Sequence, residues 1–436
     1  MVVLAPVCAS IAVGLSGAPI LPGYTEAFMT GAADYVRAFF PIFLLGAVFG
    51  KLMESSGAAA AVAGAIVRGL GPRHAIASVV IACMVMTYGG VSLFVVAFAV
   101  YPFGASLFRA AEIPKRLLPG TIALGAFTLT MDALPGSPQV QNLIPTRWFG
   151  TDAYAAPIMG TIGGLVILAG GLLWLERRRA AAARRGEGYG EGHRNEPSAP
   201  DDSRPPRLSV ALAPMVVVLV VNFTLSRTSW SVADWYSVEA LSAFPRLDPR
   251  AAAPTWALIV ALSCGLLATL GLNAGRIRGG VGASLNAATT GALLAIFNTA
   301  SEVGYGTVIK GLPGFATVKD WVLGSSRHVL ISEAVAVTIL AGITGSASGG
   351  LSIALEVMGP TYLEAARARG ISPEWLHRIA SMASGGLDTL PHNGAVITLL
   401  AITGLTHRQS YPDVFAITVL KTLTVLAMAT VASFWV

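Results

Sequence analysis

The sequence predicts an all-α polytopic membrane protein made of two inverted repeats, each with a re-entrant hairpin and a discontinuous helix. Of its 436 residues, 54% are hydrophobic and only 12% are charged, which is about half the charged content of soluble domains. The 48 glycines and 25 prolines are too many for straight spans but suit broken and re-entrant helices that are buried in protein. A glycine doublet followed by an aspartate-proline break also occurs twice in the same order.

This duplication rests on two pairs of motifs. Asp132-Ala133-Leu134-Pro135 and Asp388-Thr389-Leu390-Pro391 share Asp, Leu and Pro, and a glycine doublet precedes each of them, at Gly89-Gly90 and at Gly349-Gly350. The aspartate follows the first glycine of its doublet by 43 residues in the first half and by 39 in the second. Similar order and spacing indicate an internal duplication of roughly 150 residues per half.

The first half is predicted to cover residues 1–175. Its hairpin is apolar over about 32 residues but is interrupted at Gly89-Gly90, and Arg73 and Arg109 flank it. Because basic residues mark the cytoplasmic side, both ends of this hairpin are expected on that side, with the glycines at its tip. The predicted elements are spans at 2–17 and 35–53, the hairpin at 77–108, the broken helix at 117–141 and a span at 155–175.

Residues 176–207 differ in composition from the rest of the chain. They are polar, rich in Pro and Gly and charged, and they contain eight arginines. Such a segment is predicted to be a flexible linker between the two halves. Its arginines place it in the cytoplasm by the positive-inside rule.

The second half is predicted to cover residues 208–436. Counted outward from the cytoplasmic linker, its hairpin opens from the exterior, opposite to the first, as an inverted repeat requires. It has two spans before its repeat core where the first half has only residues 2–17, so either a helix has been lost or the sequence starts late. The predicted elements are spans at 208–225, 253–272, 285–312 and 412–433, the hairpin at 329–363 and the broken helix at 373–403.

Three titratable side chains lie inside apolar segments and are predicted to bind the coupling ion: Asp132, Asp388 and His392. A carboxylate at the centre of a bilayer costs at least about 2.5–3.5 kcal/mol, so each aspartate must be protonated, paired or in contact with water. Alternatively, Asp132 and Asp388 cap the half-helices that follow and do not titrate. His392 suits a proton relay, or it is a neutral histidine that hydrogen-bonds to the substrate or to the backbone.

A small carboxylate is predicted to bind where the helix ends at the two hairpin tips and the two breaks converge. Ser346 and Ser348 have a second interpretation, as small residues that let the hairpin arms pack closely. Glu302, Glu333 and Glu356 are assigned a structural role. The candidate substrate-binding residues are Gly89, Gly90, Ser92, Ser137, Gln139, Ser346, Ser348, Gly349, Thr389 and Asn393.

Enzymatic, metal-binding and nucleic-acid-binding functions are disfavoured. The sequence has no phosphate-binding loop, no His/Cys cluster at metal-ligand spacing and no nucleophile elbow, so we expect no catalytic residue, no metal site and no cofactor. The net charge of +6 comes mainly from loops and the linker, where it orients the chain in the bilayer. The three cysteines occur singly in apolar runs, as packing residues do.

Several ordered motifs resemble the gluconate permease family of the ion transporter superfamily. They are Gly50–Ala58, the break at Asp132, Gly345–Gly350, His377–Ala380, Ser384–Gly394 and Thr406–Tyr411. The resemblance implies proton-coupled uptake of small hydroxylated monocarboxylates such as gluconate, across a bacterial inner membrane. It also implies a homodimer in which a transport domain moves against a fixed scaffold, an elevator mechanism. Leu134–Gln139 resembles a subgroup associated with 3-hydroxybutyrate and other short hydroxy acids.

Two other functions stay open. Serines at the hairpin tips and carbonyls of the broken helices could form an oxygen cage for sodium, which would suit a sodium-coupled carrier of di- or tricarboxylates. The long linker could instead hold a partner of a membrane sensor or scaffold that binds its ligand without moving it.

Overall fold

The computed structural model describes residues 2–196, 206–227, 230–241, 243–244, 249–277, 280–314 and 328–434. Residues 197–205 of the predicted linker lie outside this part of the chain. The described residues form helices and no strand. Six of the helices are long and apolar enough to cross a membrane, which makes the chain a multi-pass membrane protein: Ile20–Ser55, Pro157–Arg184, Leu208–Arg227, Ala252–Arg276, Gly280–Lys310 and His407–Ser433.

A group of long helices forms what we call the scaffold. Its centre is the pair Met29–Ser55 and Gly280–Lys310. A Cβ added to Gly31 would lie 2.1 Å from the Thr307 Oγ1 atom, so glycine is what lets these two backbones approach closely. The scaffold is completed by the helices Leu208–Arg227 and Pro249–Asn273, and the N-terminal helix Leu4–Leu15 packs against its edge.

Each half contains a helical hairpin at the predicted place. The first hairpin consists of Ala75–Tyr88 and Leu93–Ala110, and the second consists of Val329–Thr344 and Ala347–Arg367. The chain reverses through left-handed glycines, Gly90 with φ 91° and Gly345 with φ 63°. Side chains with a Cβ rarely adopt this conformation, and this explains the glycine at each tip.

Each hairpin is followed by a broken helix and then by a long span. The first broken helix comprises Leu118–Ala126, Leu129–Asp132 and Ile144–Phe149, and the second comprises Pro373–Ser384 and Gly394–Thr403. We call residues 133–143 the first break and 385–393 the second break. The spans that follow are Pro157–Arg184 and His407–Ser433.

The first broken helix extends further than the sequence predicted. Its last part runs to Phe149 instead of residue 141, with Pro145 in its first turn. Proline fits there because the first backbone N–H groups of a helix have no partner within it. The remaining short elements are Ile20–Pro22, the π-helix Gly23–Phe28, Ala58–Leu70, Val238–Leu241 and the 3-10 turns Pro72–His74, Lys115–Leu117, Val140–Asn142, Val232–Asp234 and Ala274–Arg276.

The structure differs from the prediction of a flexible linker from residue 176 onward. The span Pro157–Arg184 continues as a helix through the first nine residues of that segment, where arginines and alanines with high helix propensity follow one another. Residues 186–196, which we call the return segment, then fold back onto the protein. The Arg116 guanidinium donates to Glu187 at 2.6 and 2.8 Å, and the Asn195 Nδ2 atom donates to the Ala401 carbonyl at 2.7 Å.

Candidate functional site

The two broken helices meet at a buried ion pair. The Lys421 ammonium, on the span His407–Ser433, donates to the Asp132 Oδ2 atom, and both side chains are at most 1% exposed. A Cβ added to Gly385 in the second break would lie 1.7 Å from the Lys421 Nζ atom and 2.2 Å from the Asp132 Oδ2 atom. The ion pair therefore lies directly over the backbone of the second break, and only glycine leaves room for it.

Asp388 adds a second carboxyl group to this site. It is 5% exposed and interacts electrostatically with Lys421 and Asp132. The Oδ1 atoms of Asp132 and Asp388 are both buried and have no hydrogen-bond partner among the described residues. With these three groups ionised their charges sum to −1, and the buried Arg378 guanidinium, which interacts electrostatically with Asp132, offsets this excess. These two aspartates are thus brought together as the sequence predicted, but with a lysine between them.

Arg378 fixes the backbone of the first break. Its guanidinium is fully buried and donates to the backbone carbonyls of Asp132 at 3.2 Å and Ala155 at 2.7 Å and to the Asn142 Oδ1 atom at 2.8 Å. A residue of the second broken helix thereby satisfies the carbonyl at the end of the helix Leu129–Asp132 and the carbonyl of Ala155, just before the span Pro157–Arg184. The two halves are joined at this point by hydrogen bonds between them.

The histidine that lies deepest in the protein is His377 and not His392. The His377 ring is completely buried and lies 2.6 Å from the Thr151 Oγ1 atom. His392 is exposed beside the tip of the second hairpin, since a Cβ added to Gly345 would lie 2.7 Å from its ring. The sequence places His392 inside an apolar segment, yet its side chain is exposed because the second break carries the chain out of the helix. Its role in ion coupling stays a prediction.

Each hairpin tip is hydrogen-bonded to the break of its own half. In the first half, the Tyr88 hydroxyl donates to the Pro135 carbonyl at 2.7 Å, and the Gln139 Nε2 atom donates to the Thr87 carbonyl at 2.9 Å. In the second half, the Asn393 Nδ2 atom donates to the Gly345 carbonyl at 2.7 Å. Each hairpin tip therefore contacts the break that follows it in the chain.

The helix after the second break is capped by Asn393. Its Oδ1 atom accepts from the backbone N–H groups of Ala395 and Val396 at 2.6 and 3.0 Å. The alternative in which Asp388 caps this half-helix is therefore wrong. Asp132 is likewise no cap, because it is the last residue of the short helix Leu129–Asp132.

Other predicted substrate-binding side chains are engaged within the protein. The Ser137 hydroxyl donates to the Thr130 carbonyl at 2.5 Å, the Ser346 hydroxyl accepts from the Gly349 N–H at 3.0 Å, and the Thr389 hydroxyl bonds to that of Thr418. Ser92 and Ser348 are half-buried near the two hairpin tips. Gly89 packs on the scaffold, since a Cβ there would lie 2.2 Å from the Met215 Cε atom.

Two cavities lie at the periphery of this site. One has a volume of about 650 Å³ and is lined by Thr151, Asp152, Asp234, Ser372 and Glu374, among others. Thr151, which lines this cavity, is the residue that contacts the His377 ring. The other has a volume of about 150 Å³ and lies between the scaffold, the second hairpin and the helix Ile144–Phe149. Neither cavity is lined by the ion pair or by Asp388.

The sequence analysis missed the two cations of this site. Lys421 interrupts an apolar span in the same way as the aspartates do, and an intramembrane charge is a functional candidate by default. Arg378 lies in a motif that carried the family resemblance. Its role needs the tertiary structure, because the carbonyls that it binds come from the other half of the chain.

Comparisons with known proteins agree on a transporter. Residues 2–310 match the family model described as GntP family permease. The chain is 48% identical to the "Uncharacterized transporter YxjC" of Bacillus subtilis (strain 168), over 99% of this chain and 94% of that protein. Its fold is similar to the crystal structure of the YdaH transporter of Alcanivorax borkumensis, with a TM-score of 0.56 and 15% identity over 93% of this chain and 87% of that one.

Proposed function

Since the chain belongs to the GntP permease family, we propose that it carries a small hydroxy-monocarboxylate across the membrane together with protons, by an elevator mechanism. That it is a membrane transporter follows from its family and relatives. The substrate, the coupling ion and the mechanism are the parts proposed here. Each of them is supported by a different feature of the structure.

The observation that carries the proposal is the group formed by Lys421, Asp132 and Asp388. A lysine ammonium in a low-dielectric site is a strong partner for a carboxylate substrate. In the structure it is paired with Asp132, so a substrate anion must compete with that aspartate. A proton on Asp132 or Asp388 removes one negative charge and lets the anion reach Lys421, which links binding of the anion to binding of a proton.

The size of the substrate is inferred from side chains that are already engaged. Ser137, Gln139 and Asn393 make hydrogen bonds within the protein. They offer few donors for the hydroxyl groups of a long sugar acid. A short hydroxy acid such as 3-hydroxybutyrate is therefore favoured over gluconate.

The division of the helices supports an elevator. The spans Pro157–Arg184 and His407–Ser433 pack on each other and on the broken helices, whereas the scaffold helices pack mainly on one another. The hairpins lie between the two groups, as the moving surfaces of such a mechanism must. The homodimer, the bacterial inner membrane and the cytoplasmic position of residues 176–207 are proposed from the family resemblance and the positive-inside rule.

Uptake by proteoliposomes tests this function. The protein is reconstituted and given radiolabelled 3-hydroxybutyrate, gluconate, lactate or citrate, with an inward proton gradient and no sodium. We expect the gradient to accelerate uptake of a short hydroxy acid most strongly. Lys421→Met should abolish uptake, while Lys421→Arg keeps the charge and should retain a part of it. Uptake that is insensitive to protons but driven by a sodium gradient would instead support the sodium-coupled alternative.

A further inference from the structure

A second buried carboxyl group lies outside the site described above, between the scaffold and the second hairpin. Glu302 is on the scaffold helix Gly280–Lys310 and is only 3% exposed. Its Oε2 atom has no hydrogen-bond partner among the described residues. Burying a carboxyl oxygen without a hydrogen bond costs free energy, so the position of Glu302 needs an explanation.

This carboxyl group packs on the backbone of the hairpin tip. A Cβ added to Gly349 would lie 1.5 Å from the Glu302 Oε2 atom and 3.0 Å from the Ser346 Oγ atom. Gly349 belongs to the glycine doublet that the repeat places at the start of the second arm of the hairpin. Because Gly349 has no side chain, the Glu302 carboxyl group can pack directly on the backbone of the second hairpin.

Among the residues that the structure describes, the side chains packed around Glu302 carry no positive charge. The helix Met29–Ser55 contributes Tyr35, which is neutral near physiological pH, and the hairpin contributes Ser346 and Ser352. Lys310 lies eight residues along the same helix, about 12 Å away at the rise of an α-helix. It is paired with Glu356 at 3.7 Å.

We propose that Glu302 is a further proton-binding site, which takes up a proton when the second hairpin docks on the scaffold and releases it when the hairpin withdraws. An ionised carboxylate enclosed there would lose its hydration without gaining a hydrogen-bond partner for its Oε2 atom among the described residues, so docking favours the neutral acid. Water that enters as the hairpin withdraws stabilises the carboxylate, and the proton returns to that water. This inference rests on the proposed function, because it requires that the hairpin moves.

Glu302 differs from Asp132 and Asp388 in the part of the protein to which it belongs. Those aspartates belong to the moving part in the proposed elevator, whereas Glu302 belongs to the scaffold. A proton bound by Glu302 therefore does not travel with the substrate. It makes the docking of the hairpin depend on the pH of the side from which water enters.

The first test compares E302Q with the wild-type protein in proteoliposomes. Glutamine has the shape of the neutral acid but cannot release a proton. We expect substrate exchange at pH 6 to stay within about twofold of the wild type, because the docked state is preserved. In the wild type, exchange should change with pH by at most about tenfold per pH unit for a one-proton step. In E302Q that dependence should weaken.

The matched control is E356Q. Glu356 lies on the second hairpin and faces the scaffold helix that carries Glu302, but Lys310 of that helix already pairs with it. Its replacement should leave the pH profile of the wild type unchanged. An E302Q profile that follows the wild type as closely as E356Q does would refute the proposal. If E302Q cannot be purified, E302A serves in its place, with the same loss of the pH dependence expected.

The second test does not require transport. The melting temperature of the purified protein is measured between pH 5 and pH 9 for the wild type, E302Q and E356Q. A carboxyl group held neutral in the folded state loses its stabilisation as the pH rises through its titration. The wild type and E356Q should therefore melt at progressively lower temperatures than E302Q as the pH rises. Equal pH dependence in all three proteins contradicts the role of Glu302, whereas a failure of uptake in the wild type contradicts only the proposed function.

Discussion

At the scale of single residues, the structure explains how a membrane protein holds so many charges in its interior. Lys421 and Asp132 are each enclosed, and each is tolerable because of the other. Arg378 is fully buried but distributes its donors over carbonyls that would otherwise be unsatisfied. The attraction between two buried charges of opposite sign offsets part of the solvation energy that each of them loses.

We predict that the Lys421 and Asp132 substitutions are strongly coupled. Lys421→Met or Asp132→Asn alone leaves an unpaired buried group, and a loss of about 3–5 kcal/mol in the free energy of unfolding is typical of such a change. The double variant should regain most of that loss, because no unpaired charge is left.

Equilibrium unfolding of the purified variants in detergent measures this coupling. A double variant that is as unstable as the sum of the single variants would show that the two groups do not interact in the folded protein. Uptake should not recover in the double variant, because the cation that we propose to bind the substrate is gone. The double variant thereby distinguishes the effect of the ion pair on stability from its effect on transport.

At the scale of elements, the second hairpin depends on backbone contact between its arms. A Cβ added to Gly350 would lie 2.2 Å from the Ala341 backbone nitrogen. The glycine doublet therefore has two different tasks. Gly350 lets the arms touch each other, while Gly349 receives the Glu302 carboxyl group.

We predict that Gly350→Ala forces the arms of the second hairpin apart. Overpacking of this kind costs about 1–3 kcal/mol, and the displaced tip should lose its hydrogen bond to Asn393. The matched control is Gly394→Ala, in the first turn of the helix after the second break, where an added Cβ meets nothing within 4 Å.

The melting temperature and the uptake rate are measured for both alanine variants. Gly350→Ala should lower both, whereas Gly394→Ala should leave both close to the wild type. Similar losses in the two variants would mean that helix propensity or general flexibility, and not the contact between the arms, limits the hairpin.

At the scale of the whole molecule, the return segment connects the two halves at one end of the bundle. Glu196 pairs with Lys115 at 2.8 Å, and Glu187 pairs with Arg116, both at the start of the first broken helix. Asn195 reaches the Ala401 carbonyl near the end of the second broken helix. The segment thus contacts both broken helices.

We predict that acidification releases the return segment. The hydrogen bond from Arg116 lowers the pKa of Glu187 below its usual range. Its contribution is therefore present at neutral pH and is lost as the pH falls through the lowered pKa of the folded protein.

A spin label at the exposed position 191, introduced as Glu191→Cys with Cys8→Ser, reports on this release. Its mobility should be low at pH 7 and rise as the pH falls to about 4 and below, where carboxylates take up protons. Addition of Glu187→Gln should make the label mobile at pH 7 already. A label that stays immobile in that variant would show that Glu187 does not hold the segment.

The sequence alone indicated a helical, multi-pass membrane protein. Apolar segments, glycine doublets and aspartate-proline breaks are local signals, and the structure has helix ends at each of these places. These signals are readable because a bilayer penalises every misplaced polar group, so each exception stands out along the chain. The family resemblance drawn from the same motifs is confirmed.

Tertiary structure decided which charges meet. Lys421 is 289 residues from Asp132 in the sequence, and the sequence around either residue does not predict that they pair. The same holds for Arg378 and the first break, for Glu302 and Gly349, and for the burial of His377 instead of His392. Burial and pairing depend on what the other half of the chain presents, because an electrostatic interaction is fixed by distance in space and not by distance in sequence.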